Sequence, residues 1–159
     1  MMAIYKKITG YKPSNTGEIF DFLEDPELFS AHSSLENGGL SSWTNNGQLN
    51  KQYPEIFGEL CDFLLRSFGE KYSIMDMWVN ITPPDSYIKP HHHLNSEFPN
   101  SFAGVYYLKK PKNSGNLFIE GNEIQIEEYD LVVFQGKRMH WTAPNKSLNN
   151  RIALSFNTN

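Results

Sequence analysis

The chain has 159 residues, 39% of them hydrophobic, and a formal net charge of −4, with a pI near 5.7 and a mean hydropathy of −0.51. That length supports one domain with a substantial core, and no apolar run approaches the about 20 residues of a membrane helix. No Lys/Arg block or stripe is present, which disfavours nucleic acid as a partner. The segment 1–10 lacks the apolar stretch of a signal peptide. The single cysteine, Cys61, allows neither an intramolecular disulfide nor a Cys-rich zinc site and reads as a small core residue. A reducing, cytoplasmic setting is the expectation.

The pattern changes near residue 70. Before it, the signals are helical. Asn15 or Thr16 can cap a segment through Ile19, Phe20, Phe22 and Leu23, and Pro26 ends it. Residues 31–50 are rich in Ser, Asn and Gly, carry Trp43, and read as a long loop of the kind that often serves function. A second helix fits 54–68, where Ile56, Leu60, Phe63, Leu64 and Phe68 recur at helical spacing and Gly69 supplies the stop.

After residue 70 the period shifts toward two. Strands are expected at 73–82, 86–89, 102–109, 115–120, 122–126, 131–134, 138–143 and 151–157. Turn signals divide them: Pro83-Pro84-Asp85, Pro111 through Gly115, Gly121-Asn122 and Gln135-Gly136. The expected fold is mainly β with N-terminal helices (α+β), a jelly roll or double-stranded β-helix of the cupin kind. Residues 1–159 are expected to form a single domain, with 1–70 a helical and loop support and 71–159 the jelly-roll core carrying the site.

Chemistry concentrates in histidine. Of five histidines, three (His91, His92 and His93) follow Pro90, His140 stands far downstream, and His32 lies apart. Residues two apart on a strand share a face, so His91 and His93 project together and His92 projects away. Two close imidazoles and one distant one suit a single metal with open coordination positions. Without further context, the Pro90–His93 stretch could equally be a solvated loop tip, and His140 a satisfied core histidine.

The surroundings favour the metal. Trp78-Val79-Asn80-Ile81, Pro90-His91-His92-His93, Ala103-Gly104-Val105-Tyr106-Tyr107-Leu108, Ser114-Gly115-Asn116-Leu117, Asp130-Leu131-Val132-Val133-Phe134, His140 and Arg151-Ile152-Ala153-Leu154-Ser155-Phe156-Asn157 occur in that order. With them the chain resembles the 2-oxoglutarate and Fe(II)-dependent oxygenases of the prolyl-hydroxylase-like superfamily, and more narrowly small bacterial and phage members with a His-x-His motif. The stretch from Glu36 to Leu49 resembles them more loosely. The resemblance implies that His91, His93 and His140 are the catalytic metal ligands. It implies that Arg151 pairs with the distal carboxylate of 2-oxoglutarate, helped by Tyr107, Ser155 and Asn80. Fe(II), 2-oxoglutarate as cosubstrate and O2 follow as the expected cofactors.

Two positions depart from the family pattern. A carboxylate is usual where His93 stands; Glu97 and Asp85 are nearby acids without the matching spacing. Many relatives place a serine where Ala153 stands. The expected function is an oxygenase coupling oxidative decarboxylation of 2-oxoglutarate to oxidation of a substrate, a small molecule or a protein side chain. Two alternatives stay open: a cupin-like metalloenzyme that does not use 2-oxoglutarate and has no need of Arg151, and a non-catalytic jelly-roll binding module. Trp78, Trp141, Phe118 and Phe134 read as core, and the 33–46 loop with Trp43 as a rim or lid. The sequence leaves the oligomeric state open, a homodimer among the options.

Overall fold

The computed structural model describes residues 4–67, 69 and 71–159. In chain order the elements are β1 (Tyr5–Ile8), α1 (Thr16–Phe22), a 3-10 turn (Pro26–Leu28), β2 (Ser30–Ala31), β3 (Leu35–Glu36), β4 (Leu40–Ser41), α2 (Leu49–Gln52) and α3 (Pro54–Arg66). There follow β5 (Ile74–Thr82), β6 (Tyr87–Ile88), β7 (Phe102–Lys109), β8 (Leu117–Ile119), β9 (Asn122–Ile124), β10 (Leu131–Gln135), β11 (His140–Thr142) and β12 (Arg151–Thr158).

The first sheet has the order β1-β10-β7-β12-β5-β4-β2, antiparallel at every pairing. The second comprises β11-β8-β9 and the pair β3-β6. An antiparallel bridge between His91 and His140 joins these two pieces, so the second layer reads β3-β6-β11-β8-β9. The two facing antiparallel layers form a double-stranded β-helix.

Alternation assigns the two faces of the first sheet. Met77 and Val79 on β5, Tyr106 and Leu108 on β7, Leu131 and Val133 on β10, and Leu154 and Phe156 on β12 point outward. They meet Ile19 of α1, Leu49 of α2, and Phe57, Leu60 and Leu64 of α3. Burying each such side chain is worth about 1.5–3 kcal/mol, so this helical backing is the main stabilising core. Gly104 is required within it: a Cβ there would lie 2.1 Å from the Phe156 ring. A smaller apolar cluster fills one part of the space between the layers, with Ala103, Tyr107, Leu117, Ile119, Ile124, Val132 and Phe134. The rest of that space is a cavity.

The eight expected strands are all present, most with shorter ends. The β8–β9 turn is Glu120-Gly121, one residue earlier than expected: Ile119 pairs with Asn122, and both turn residues have positive φ (50° and 82°), as a two-residue hairpin of the primed type demands. Helix α3 matches the expected amphipathic segment to Arg66, and Gly69 adopts a φ of 102°; Phe68 lies outside the described residues. Asn15 occupies the N-cap of α1 but does not cap it. Its amide instead donates to Ile56 O at 2.8 Å and ties α1 to α3. Pro26 opens a 3-10 turn, with Asp25 accepting from Glu27 N.

Two stretches differ from expectation. Residues 31–50 are not one loop. Three two-residue strands there extend both layers, β4 pairing with β5 and β3 with β6, and residues this few give no periodicity to read. Strand β1 is a further addition to the expected strands: Lys6 and Lys7 give this edge strand a polar pattern. Its pairing with β10 is complete nonetheless.

Candidate metal centre and anion pocket

The cavity between the layers has a volume of about 640 Å³. Its floor is the inner face of three neighbouring strands. On β12 that face carries Arg151, Ala153, Ser155 and Asn157. On β5 the residues directly opposite are Thr82, Asn80, Trp78 and Asp76, and β7 adds Tyr107 and Val105. At a strand rise of about 3.3 Å per residue, Arg151 and Asn157 sit about 20 Å apart along one strand. The cavity therefore has a cationic end and, at the other end, the carboxylate of Asp76.

His91, His93 and His140 come together over this floor. One potential ligand atom from each lies within 4.8 Å of the others. The ring centroids are 4.2 Å apart for His91–His140, 4.8 Å for His93–His140 and 5.1 Å for His91–His93. Backbone pairing sets this arrangement. His91 N donates to His140 O at 3.1 Å and His140 N to His91 O at 2.9 Å, a direct cross-strand pair. His93 N donates to Gly136 O at 2.7 Å, in the turn between β10 and β11. A Cβ on Gly136 would press against His93 O at 3.2 Å.

The hydrogen bonds define the tautomers. Nδ1 of His91 lies 2.7 Å from Lys89 O, and Nδ1 of His140 lies 3.0 Å from Arg138 O. A carbonyl only accepts, so each Nδ1 carries the proton and each Nε2 keeps its lone pair. Burial disfavours the charged ring, so the imidazoles are neutral near pH 7. Burial first and the neighbouring His91 second hold His93 down to about 4. Burial, then His91 and His93, hold His140 down to about 2, and burial also lowers His91. Three neutral nitrogen donors, His140 buried and His91 and His93 half-buried, fit a divalent transition metal. His92 is exposed, and its Nδ1 accepts from Leu94 N at 3.2 Å.

At the other end Arg151 is 1% exposed. Its Nη1 donates to the carbonyls of Ser114, Gly115 and Ala143, and its Nη2 to Thr142 Oγ1 at 2.8 Å. The same Thr142 oxygen accepts from Ile88 N at 2.9 Å, so β6, β11 and β12 are fastened at the guanidinium. Gly115 permits the approach: its φ is 93°, and a Cβ would stand 2.4 Å from Ala143 O and 2.8 Å from Arg151 Nη1. Among the described residues the ion pairs are Lys89–Glu36 and Lys146–Asp85, both on the surface. Arg151 is thus a buried cation held by neutral oxygens, a costly arrangement without an anion. A ligand carboxylate fits it.

Tyr107, Ser155 and Asn80 also line this cavity. Tyr107 is 2% exposed, and burial pushes its hydroxyl up to about 12 against the opposing pull of Arg151. It remains a neutral donor. Asn80, Ser155 and Tyr107 make no side-chain hydrogen bond among the described residues, so their polar groups face the cavity uncommitted. Asp85 pairs with Lys146 at 3.1 Å on the surface, and Glu97 is exposed; neither carboxylate lines the cavity. Trp78 is buried, as expected, but in the cavity wall, its ring centroid 5.5 Å from that of His93. Trp43 packs edge-on against Trp78 at 4.7 Å and is 39% exposed, so it forms the rim. The segment around it is fastened to β5 by Ser42 N to Val79 O and Val79 N to Ser42 Oγ.

Two residues of the site were not singled out in the sequence. Asn157 Oδ1 lies 2.8 Å from His93 Nδ1, and Asn157 Nδ2 donates to Asp76 Oδ2 at 3.2 Å. Strand parity counted from Arg151 places Asn157 on the cavity face; the register that brings Asp76 opposite has no signal in one sequence.

No family model matches the sequence, and no curated protein matches it. Solved structures do resemble the fold. One is an oxidoreductase of the 2OG-Fe(II) oxygenase family from Burkholderia pseudomallei (14% identity, TM-score 0.70, 98% of this chain and 85% of that one). Another is a prolyl-4-hydroxylase from Pseudomonas putida (19% identity, TM-score 0.61, 98% and 91%). A third is HygX from Streptomyces hygroscopicus with nickel and 2-oxoglutarate bound (12% identity, TM-score 0.70, 98% and 82%). The chain has the double-stranded β-helix fold of these oxygenases.

Proposed function

We propose that the protein is an Fe(II)- and 2-oxoglutarate-dependent dioxygenase that oxidises a substrate entering past Trp43 and Trp78. One observation carries the reading: three neutral imidazoles converge in the same cavity as a buried guanidinium that has no carboxylate partner among the described residues. A metal site alone leaves that cation unexplained. A metal-binding ligand with a second carboxylate accounts for both. The neighbouring structure with nickel and 2-oxoglutarate bound is consistent with it.

His91, His93 and His140 would hold the metal through Nε2, their rings already turned by the bonds at Nδ1. Arg151 would pair with the distal carboxylate of 2-oxoglutarate, its planar fork matched to a carboxylate. Tyr107 would add a donor from β7, with Ser155 and Asn80 supplying polar contacts along the floor. Val105, Leu117 and Trp78 would exclude water around the reacting groups. When bound, Fe(II) with 2-oxoglutarate and O2 supplies the oxidising chemistry, in which the oxo acid is decarboxylated to succinate as the substrate is oxidised. The substrate is a small molecule or a protein side chain, and a cytoplasmic setting is part of the proposal. His140 lies on β11, His91 bridges to it and His93 follows in irregular chain, while the 2-oxoglutarate contacts come from β5, β7 and β12, and we take 1–159 as one domain with 1–70 as its support.

The test is turnover. Purified protein with Fe(II), ascorbate and O2 should convert 2-oxoglutarate to succinate, slowly without substrate and faster with it. Failure to form succinate, together with no heat of 2-oxoglutarate binding to the metal-loaded protein, would reject the reading. Metal-dependent activity undiminished in Arg151→Met would favour the cupin-like alternative instead.

A further inference from the structure

The three imidazoles are not fixed in the same way. His91 and His140 each use the backbone carbonyl two residues earlier, Lys89 O and Arg138 O. Those acceptors are main-chain carbonyls, Lys89 just past β6 and Arg138 in the turn before β11. His93 depends on a side chain, the Oδ1 of Asn157 at 2.8 Å. An amide can face an imidazole with either end, and only the oxygen end leaves Nε2 free. Asp76 removes the ambiguity. Its carboxylate only accepts, so the NH2 of Asn157 must turn to Asp76, where Nδ2 lies 3.2 Å from Oδ2. The oxygen then faces His93 and holds its proton on Nδ1. The backbone supports the alignment, because Asn157 and Asp76 are direct partners in the β5–β12 register, just before that register shifts at Thr158.

We infer that Asn157, oriented by Asp76, is the positioning residue that makes His93 a metal ligand. The inference rests on the metal centre proposed above. A carboxylate, an amide and an imidazole form one chain, which fixes the ring tautomer and raises the basicity of Nε2 by placing a negative charge behind it. Outer partners of this kind govern both the orientation and the affinity of metal-binding histidines. The chain also explains the choice of amide. A second carboxylate in place of Asn157 would lie against Asp76, and the like charges would oppose each other.

The test separates tautomer from metal. Long-range nitrogen–proton NMR of the imidazoles in metal-free protein at pH 8 reports which ring nitrogen carries the proton. His91, His93 and His140 should all show Nδ1–H. In Asn157→Leu, His93 should move to Nε2–H while His91 and His140 stay as they were, which a general loss of structure would not produce. Calorimetric Co(II) affinity should fall about 10- to 100-fold in that variant. The exchange variant Asp76→Asn/Asn157→Asp keeps one carboxylate, one amide and the same two hydrogen bonds, and should restore both Nδ1–H and Co(II) affinity even if Asn157→Leu folds poorly. His93 remaining Nδ1–H in Asn157→Leu, undiminished Co(II) affinity there, or no restoration by the exchange would overturn the role. Wild-type protein showing the three Nδ1–H tautomers but binding no Co(II) would instead remove the metal centre itself.

Discussion

On β12, Ile152, Leu154 and Phe156 face the helices, whereas Arg151, Ala153, Ser155 and Asn157 face the cavity. The outward face packs apolar side chains against α1, α2 and α3 and makes no directional demand beyond shape. The inward face carries a cation at one end, an amide at the other and a hydroxyl between. Strand β5 repeats the division, with Met77 and Val79 outward and Asp76, Trp78, Asn80 and Thr82 inward. Stability and chemistry are thus separated by the two-residue period of the strand. A substitution should disturb one with limited effect on the other.

The sharpest cut is on the inward side. His140→Ala should lower metal affinity by on the order of a hundredfold or more, since outer partners alone are worth 10- to 100-fold. Its circular dichroism should stay native. Unweakened binding, measured by calorimetry, would put the metal elsewhere. Next is Arg151→Met. It should cost about 2–5 kcal/mol of 2-oxoglutarate affinity, the usual effect of removing one partner from a buried charge pair. Metal affinity without 2-oxoglutarate should hold; a parallel loss would merge the two ends of the cavity into one structural unit.

The outward face breaks in the converse way. Leu154 is fully buried among the helix-facing side chains, so Leu154→Ala should cost about 2–5 kcal/mol of unfolding free energy by urea titration. The folded fraction should bind metal normally. A large loss of metal affinity without a shift in the urea midpoint would contradict the separation.

The smallest effect is on pH. The ordinary value for histidine is 6.5, and in the folded chain His93 is held down to about 4 and His140 to about 2. Between the folded and ordinary values the unfolded chain binds more protons than the native one, so stability rises with pH across that window. Metal-free protein in chelator should melt several degrees lower at pH 5 than at pH 7.5. The dependence should be shallower in His140→Ala.

Period-two patterning made β5, β7, β10 and β12 legible, and the ordered set of His91, His93, His140 and Arg151 marked the residues that the fold brings to one cavity. What stayed hidden shares a physical cause. Strands β2, β3 and β4 have two residues each, too few for a period. The pairing of Asp76 with Asn157 depends on register between segments far apart in sequence, which one chain does not reveal. Asn157 itself was reachable, since counting by twos from Arg151 lands on it. The carboxylate sought in place of His93 is present after all, but it is Asp76, behind an amide rather than at the cluster.

The most direct measurement is an anaerobic titration of Fe(II)-loaded protein with 2-oxoglutarate, followed by visible absorption. The account predicts a metal-to-ligand charge-transfer band that grows to saturation, requires both components, and weakens sharply in Arg151→Met. No band at saturating Fe(II) and 2-oxoglutarate, or a band that Arg151→Met leaves unchanged, would contradict it.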